Sequence, residues 1–486
     1  MVINFNRKRR IIALICMLIF IGICIGFNKS IANESLNIID DKMINNYIID
    51  VVFDDKTKTI ECNQNVTYIN NTGKEQDKLY MHIYPNSFSD KDNVPFEKDE
   101  MKQAYPNGFS EGYIQINNLL NNKNKLVYKI KGEKNDILEI VLDRKLKAGE
   151  KYSIDIKYNV KLPNCVGRFG YGKDTINITN WFPIFCVYDK DGWSLKSYET
   201  IGDSFYSDIS NFTVNILLPS KYDIACTGSI VEEKKNKENK LCKLQCKKVR
   251  DFAIILSDKF TINKEMYKNT SVMVYNLNKD LVDETSEIAV ESIKVFEKLF
   301  GEYPYDTYSV VASDFFIGGM EYPTLVMIDK TLYNENNKFL LEYVIAHETA
   351  HQWWYSVIGN DEISEPWIDE ALTEYSTILY FEDKYGKEIA QKLIRTMEVQ
   401  SENYESHDMF KSSTEFDNSV DYSLNVYTKG ALVFNQIRKE VGDKLFFETL
   451  QKYYSNYMFQ NVNGAQFRKV WNDVGIDINE IVEEYD

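Results

Sequence analysis

The sequence predicts a multidomain protein: an antiparallel β domain of saddle or sandwich form, followed by an α+β domain that turns mostly helical. Three observations carry this. Alternation of period two recurs over residues 45–260, with polar turn clusters between the runs. Helical periodicity takes over after about residue 280. A chain of 486 residues has room for roughly two to four domains.

The β elements come first. Tyr152, Ile154, Ile156, Tyr158 and Val160 alternate with Ser153, Asp155, Lys157 and Asn159, and the run Phe212–Ile216 does the same. Asn70-Asn71-Thr72-Gly73 has the composition of a turn. Further on, Ile288, Ile293, Val295, Phe296, Leu299 and Phe300 fall largely on one helical face that ends at Gly301. Tyr308–Ala312 and Leu325–Ile328 read as short strands, and helices dominate from Phe339. The expected division is a membrane anchor or signal segment plus linker over residues 1–37, an N-terminal β domain over 38–260 and a second, α+β domain over 261–486.

Composition bounds the function. Apolar residues make up 44% and aromatics 14%, enough surface to bury a core, which excludes wholesale disorder. The net charge of −16 argues against nucleic acid as a partner, because phosphates demand a basic face.

Arg7, Lys8, Arg9 and Arg10 precede Ile11–Phe27, a run without charge. That run lies between a signal core of about 7–15 residues and a membrane span of roughly 17–25. An anchor through residues 11–27 is the favoured expectation. Ser30-Ile31-Ala32 offers a cleavage site, and the protein is secreted if residues 1–32 are removed. Either way the basic flank stays inside and the rest lies outside the cytoplasm. Export permits disulfides among Cys62, Cys165, Cys186, Cys226, Cys242 and Cys246, with buried free thiols at least as good a reading.

His347-Glu348-Thr349-Ala350-His351 carries the chemistry. The chain has only 4 His, and two are here. On a helix beginning near Leu340, residues four apart share a face, so both imidazoles reach one cation. Neutral imidazole suits zinc, and Glu348 stands where it can take a proton from water. A zinc site needs a third protein ligand. After a turn-like Gly359-Asn360-Asp361, the helix containing Trp367–Tyr375 supplies Glu370. Asp369 would face about 100° away. Glu374, one turn beyond Glu370, either bonds a ligand histidine or is solvated, and the solvated reading is preferred.

These stretches, with Gly318-Gly319-Met320-Glu321-Tyr322 upstream and Tyr427-Thr428-Lys429-Gly430 downstream, resemble the gluzincin aminopeptidases. The resemblance covers roughly residues 45–486 and is strongest over 300–435. It implies a thermolysin-like catalytic domain and one zinc per chain, held by His347, His351 and Glu370. It implies Glu348 as general base, Glu321 as the carboxylate for the substrate's free amino terminus, and Gly318, Gly319 and Met320 as the strand that aligns the peptide. Tyr427 matches the hydroxyl that stabilises the tetrahedral intermediate. Peptides with a free N-terminus are the implied substrates.

Two departures stand out. Tyr322 occupies a position where the family usually has Asn. Only a short stretch follows Tyr427, where larger relatives carry a helical C-terminal domain, so a more open cleft is expected. The segment Asn180-Trp181-Phe182-Pro183 lies where relatives place a β-domain contact to the amine, and no residue there is assigned. A zinc endopeptidase on the same scaffold and a non-catalytic, membrane-tethered peptide-binding protein are the alternatives.

Overall fold

Alternating burial along the long strands builds the first layer. Over Lys151–Lys161 the five apolar residues named above are buried and the polar ones between them exposed. Asn45–Asp54 alternates in the same way. A strand buried on one face must pack that face against something. Here it forms part of an eight-stranded sheet in the order Ser229–Lys235, Asn239–Val249, Ser210–Pro219, Asn45–Asp54, Thr59–Ile69, Lys151–Lys161, Tyr113–Asn121, Asn124–Lys125. Two four-stranded sheets accompany it. The pairing is antiparallel except that Asn45–Asp54 runs parallel to Ser210–Pro219. That pair is far apart in sequence, as a parallel pair requires, so local alternation carries no sign of it.

The computed structural model describes residues 41–403, 407–483 and 485, and residues 41–486 fall in one compact unit. The segment 11–27 lies outside the described residues. Among the described residues, no helix is long and apolar enough to cross a membrane. All six cysteines singled out above are free.

From Thr261 the chain builds a mixed five-stranded sheet, ordered Thr261–Tyr267, Thr270–Asn276, Thr307–Ser313, Leu325–Asp329, Gly319–Met320. Helix α1 (Val282–Phe300) provides the crossover between the parallel strands Thr270–Asn276 and Thr307–Ser313. It buries Ile288, Ile293, Val295, Phe296 and Phe300 and stops at Gly301, whose φ is 130°. Helix α2 (Lys338–Ala350) and helix α3 (Glu370–Tyr385) pack on each other and on α1. A π-helix, Ser423–Lys429, runs into helix α4 (Gly430–Tyr457), which breaks at Gly442.

Arg250 ties the β layer to the loop after α2. The residue is 1% exposed, and its guanidinium donates to the carbonyls of Tyr355 at 2.7 Å, Ser207 at 2.7 Å, Gln460 at 2.8 Å and Val357 at 3.3 Å. It also donates to the Asn461 side chain. Removing these donors leaves several buried acceptors unsatisfied, each costing about 1–3 kcal/mol. Arg250→Met is therefore expected to lower unfolding stability by at least about 3 kcal/mol in a denaturant titration. A loss under about 1 kcal/mol would contradict this account of Arg250.

Candidate metal and peptide site

Helix α2 presents His347 and His351 on one face, and His351 sits at its C-terminal boundary with helical φ and ψ. Glu370 opens α3, where the helix N-terminus favours a negative charge. The Oε2 atom of Glu370 lies 3.2 Å from Nε2 of His351 and 3.5 Å from Nε2 of His347. Ligand atoms of all three residues lie within 4.8 Å of one another. The three side chains are buried, and Glu370 Oε2 has no hydrogen-bond partner.

The other ring nitrogens are already engaged. His347 Nδ1–H donates to Glu374 Oε2 at 2.9 Å, and the Tyr343 hydroxyl donates to the opposite oxygen of Glu374 at 2.5 Å. His351 Nδ1–H donates to the Trp354 carbonyl at 3.0 Å, with the Thr373 hydroxyl 3.2 Å away. Both Nε2 atoms are thereby turned toward Glu370. Two imidazole nitrogens and one carboxylate oxygen, converging on an orphaned buried atom, fit a divalent zinc. Glu374 is 8% exposed and bonded to a candidate ligand, so it is not the solvated carboxylate preferred from sequence. A helix-face pattern cannot reveal that α2 covers it. Asp369 accepts from Asn360 Nδ2 at 2.8 Å, away from the trio.

Electrostatics follow from burial. Burial alone would lower both histidines and raise Glu370. The mutual contacts outweigh it: Glu370 and Glu374 raise His347 to about 10, Glu370 and Glu321 raise His351 well above its usual value, and the two imidazoles hold Glu370 below the carboxylate range. Burial pushes the Glu348 carboxyl up to about 7 against the pull of the histidines.

The remaining sequence candidates gather around the trio. A Cβ on Gly319 would lie 2.1 Å from Glu348 Oε1, so only glycine lets this strand approach the carboxyl. Gly318 holds a φ of 96°. Glu321 and Glu348 are buried, and Oε1 of the first and Oε2 of the second lack partners. With His351 they form a second converging trio, contiguous with the first. Burial and the neighbouring Asp203 carboxylate raise Glu321 well above its usual value. The Tyr427 ring stacks on His347 at 5.7 Å and 15°. Gly430 explains part of its motif, because a Cβ there would sit 2.3 Å from that of Ala371 and push the π-helix off α3.

Sequence reasoning missed three contributors. Gln352 donates to the Tyr322 carbonyl at 3.2 Å and accepts from the Thr324 N–H at 2.7 Å. From the β layer, Arg168 reaches Asp203 at 2.5 Å and the Met320 sulfur at 2.9 Å. Gln352 adjoins the histidine motif and could have been flagged there. Arg168 and Asp203 carry no local signal.

Two histidines and a carboxylate from neighbouring helices thus form a candidate metal site under a β layer. Residues 284–485 match the family model described as "Peptidase family M1 domain". The chain is similar to aminopeptidase N of Lactococcus lactis, 28% identical over 38% of this chain and 23% of that protein. It is also similar to mouse aminopeptidase B, 27% identical over 38% of this chain and 30% of that protein. The matched part thus spans under a third of either relative. The fold resembles the M1 zinc metallopeptidase of Deinococcus radiodurans, with a TM-score of 0.65 at 15% identity over 91% of this chain and 92% of that one. A mutant of that metallopeptidase bound to a Tyr-Ser-Ala substrate matches with a TM-score of 0.65, also at 15% identity, covering 91% and 93% of the two chains.

Two outcomes follow. Glu374→Ala should weaken zinc binding about 10–100-fold in competition with a chromophoric chelator, and unchanged affinity would contradict the orienting contact. Neighbouring carboxylates raise both imidazoles, His347 to about 10, and a raised imidazole must lose its proton to ligate. Zinc uptake at pH 8 should release at least about one proton, read by calorimetry in buffers of different ionisation enthalpy. Release near zero would contradict the assignment.

Proposed function

We propose that the chain is a zinc-dependent aminopeptidase acting on peptides with a free N-terminus. The observation that carries this is the convergence of both Nε2 atoms on Glu370, with Glu321, whose Oε1 has no partner, in the adjoining trio that shares His351. His347, His351 and Glu370 would hold the ion. Zinc there supplies Lewis acidity, favouring water ionisation and polarising the scissile carbonyl.

The chain's own groups divide the remaining work. Glu321 offers a buried carboxyl to the substrate's ammonium, the cation that would compensate its charge. Gly318, Gly319 and Met320 present a strand edge on which the peptide backbone can lie. Glu348 takes a proton from the attacking water and delivers it to the leaving amine. Tyr427 donates its hydroxyl to the oxygen that gains negative charge in the transition state.

The domain division near residue 260 and a membrane anchor through residues 11–27 belong to the same proposal. The first is supported by the change of sheet after Ser257, the second by the basic cluster before an uncharged run. The anchor would place the catalytic half outside the cytoplasm.

A panel of aminoacyl substrates tests this reading. Unblocked substrates should be hydrolysed and their acetylated forms left intact; cleavage of blocked peptides would indicate an endopeptidase instead. Glu348→Gln should retain zinc while kcat falls about 10²–10⁴-fold. Turnover within about tenfold of the unvaried protein would remove Glu348 from proton transfer.

A further inference from the structure

Glu321 is buried, and its Oε1 has no hydrogen-bond partner. Its position is therefore governed by the backbone on either side. On the near side the anchor is Met320, whose sulfur accepts from Arg168 Nε–H at 2.9 Å. On the far side it is Tyr322, which is fully buried. The Tyr322 hydroxyl lies 2.6 Å from Thr179 Oγ1 and 2.7 Å from Asn180 Oδ1. Thr179 uses its own proton on the Arg168 carbonyl at 2.7 Å, so the phenol's single proton is shared between two acceptors, Thr179 Oγ1 and Asn180 Oδ1. Asn180 is oriented in turn by donating to Asp251 Oδ2 at 2.6 Å. Both neighbours of Glu321 are thus fastened to one stretch of the β layer, while Gln352 holds the Tyr322 carbonyl from the catalytic side.

We propose that Tyr322 is a positioning residue for amine recognition: through Thr179 and Asn180 its hydroxyl fixes the backbone after Glu321, and so sets where that carboxyl meets the substrate's ammonium. This rests on the aminopeptidase reading. It gives the tyrosine a specific task at the position where the resembling family usually has Asn, a side chain with less reach.

Tyr322→Phe keeps the ring and removes the proton. One buried hydrogen bond corresponds to a factor of up to about ten. KM for an unblocked leucyl anilide is expected to rise about 5–10-fold, with kcat within about twofold and zinc content unchanged. The dissociation constant of leucine amide, measured by calorimetry in the Glu348→Gln background, should rise by the same factor. Thr179→Val alone should raise KM about two- to threefold and add little on top of Tyr322→Phe, because the two share one contact. It carries the test if Tyr322→Phe does not fold. Unmoved KM and leucine amide affinity, or fully additive effects, would reduce Tyr322 to packing and overturn the proposal. Failure of the parent reading looks different: the unvaried protein would not hydrolyse the unblocked anilide at all.

Discussion

The site depends on negative charge held out of water. Glu321, Glu348, Glu370 and Asp203 share one electrostatic neighbourhood, and each is less than one-tenth exposed. Carboxylates so placed either neutralise or find cations. Within the chain, Arg168 serves Asp203, and the two imidazoles serve Glu370. Exchanging the imidazole protons for one divalent ion keeps Glu370 compensated. A substrate ammonium would do the same for Glu321. On the proposed reading, affinity for a metal and affinity for a free amino terminus would be two responses to one electrostatic deficit.

The fold maintains the deficit by making the pocket a seam between layers. One wall is α2 and α3, whose register brings residues from two helices onto one point. The other is the short strand Gly319–Met320, backed by Arg168, Thr179 and Asn180 from the β layer. Arg250 fastens the β layer to the loop that follows the histidines, and Gln352 fastens α2 to the strand's end. Side chains shorter than a hydrogen bond's reach from the seam would let water in and weaken every charge interaction inside.

Much of this was legible in the sequence because it is written at short range. Spacing within the histidine motif fixes which face of α2 the two imidazoles share, and period-two alternation marks the long strands. Gly319 stood out by resemblance before its contact with Glu348 explained it. What stayed hidden depends on partners far apart in the chain. Glu374 looks like any helix carboxylate until α2 lies over it. Arg168 and Asp203 meet the strand only through the folded β layer, and the parallel pairing of Asn45–Asp54 with Ser210–Pro219 joins residues too distant for any local pattern to record. Tyr322 was visible as a departure, but its partners Thr179 and Asn180 were not.

The central claim is that His347, His351 and Glu370 jointly bind one zinc ion. X-ray absorption at the zinc edge, on protein loaded with one equivalent, tests it most directly. The account expects a shell of nitrogen and oxygen alone, with the multiple-scattering signature of two imidazoles that falls to one in His351→Ala. A sulfur-containing shell, or a shell indifferent to loss of His351, would contradict it.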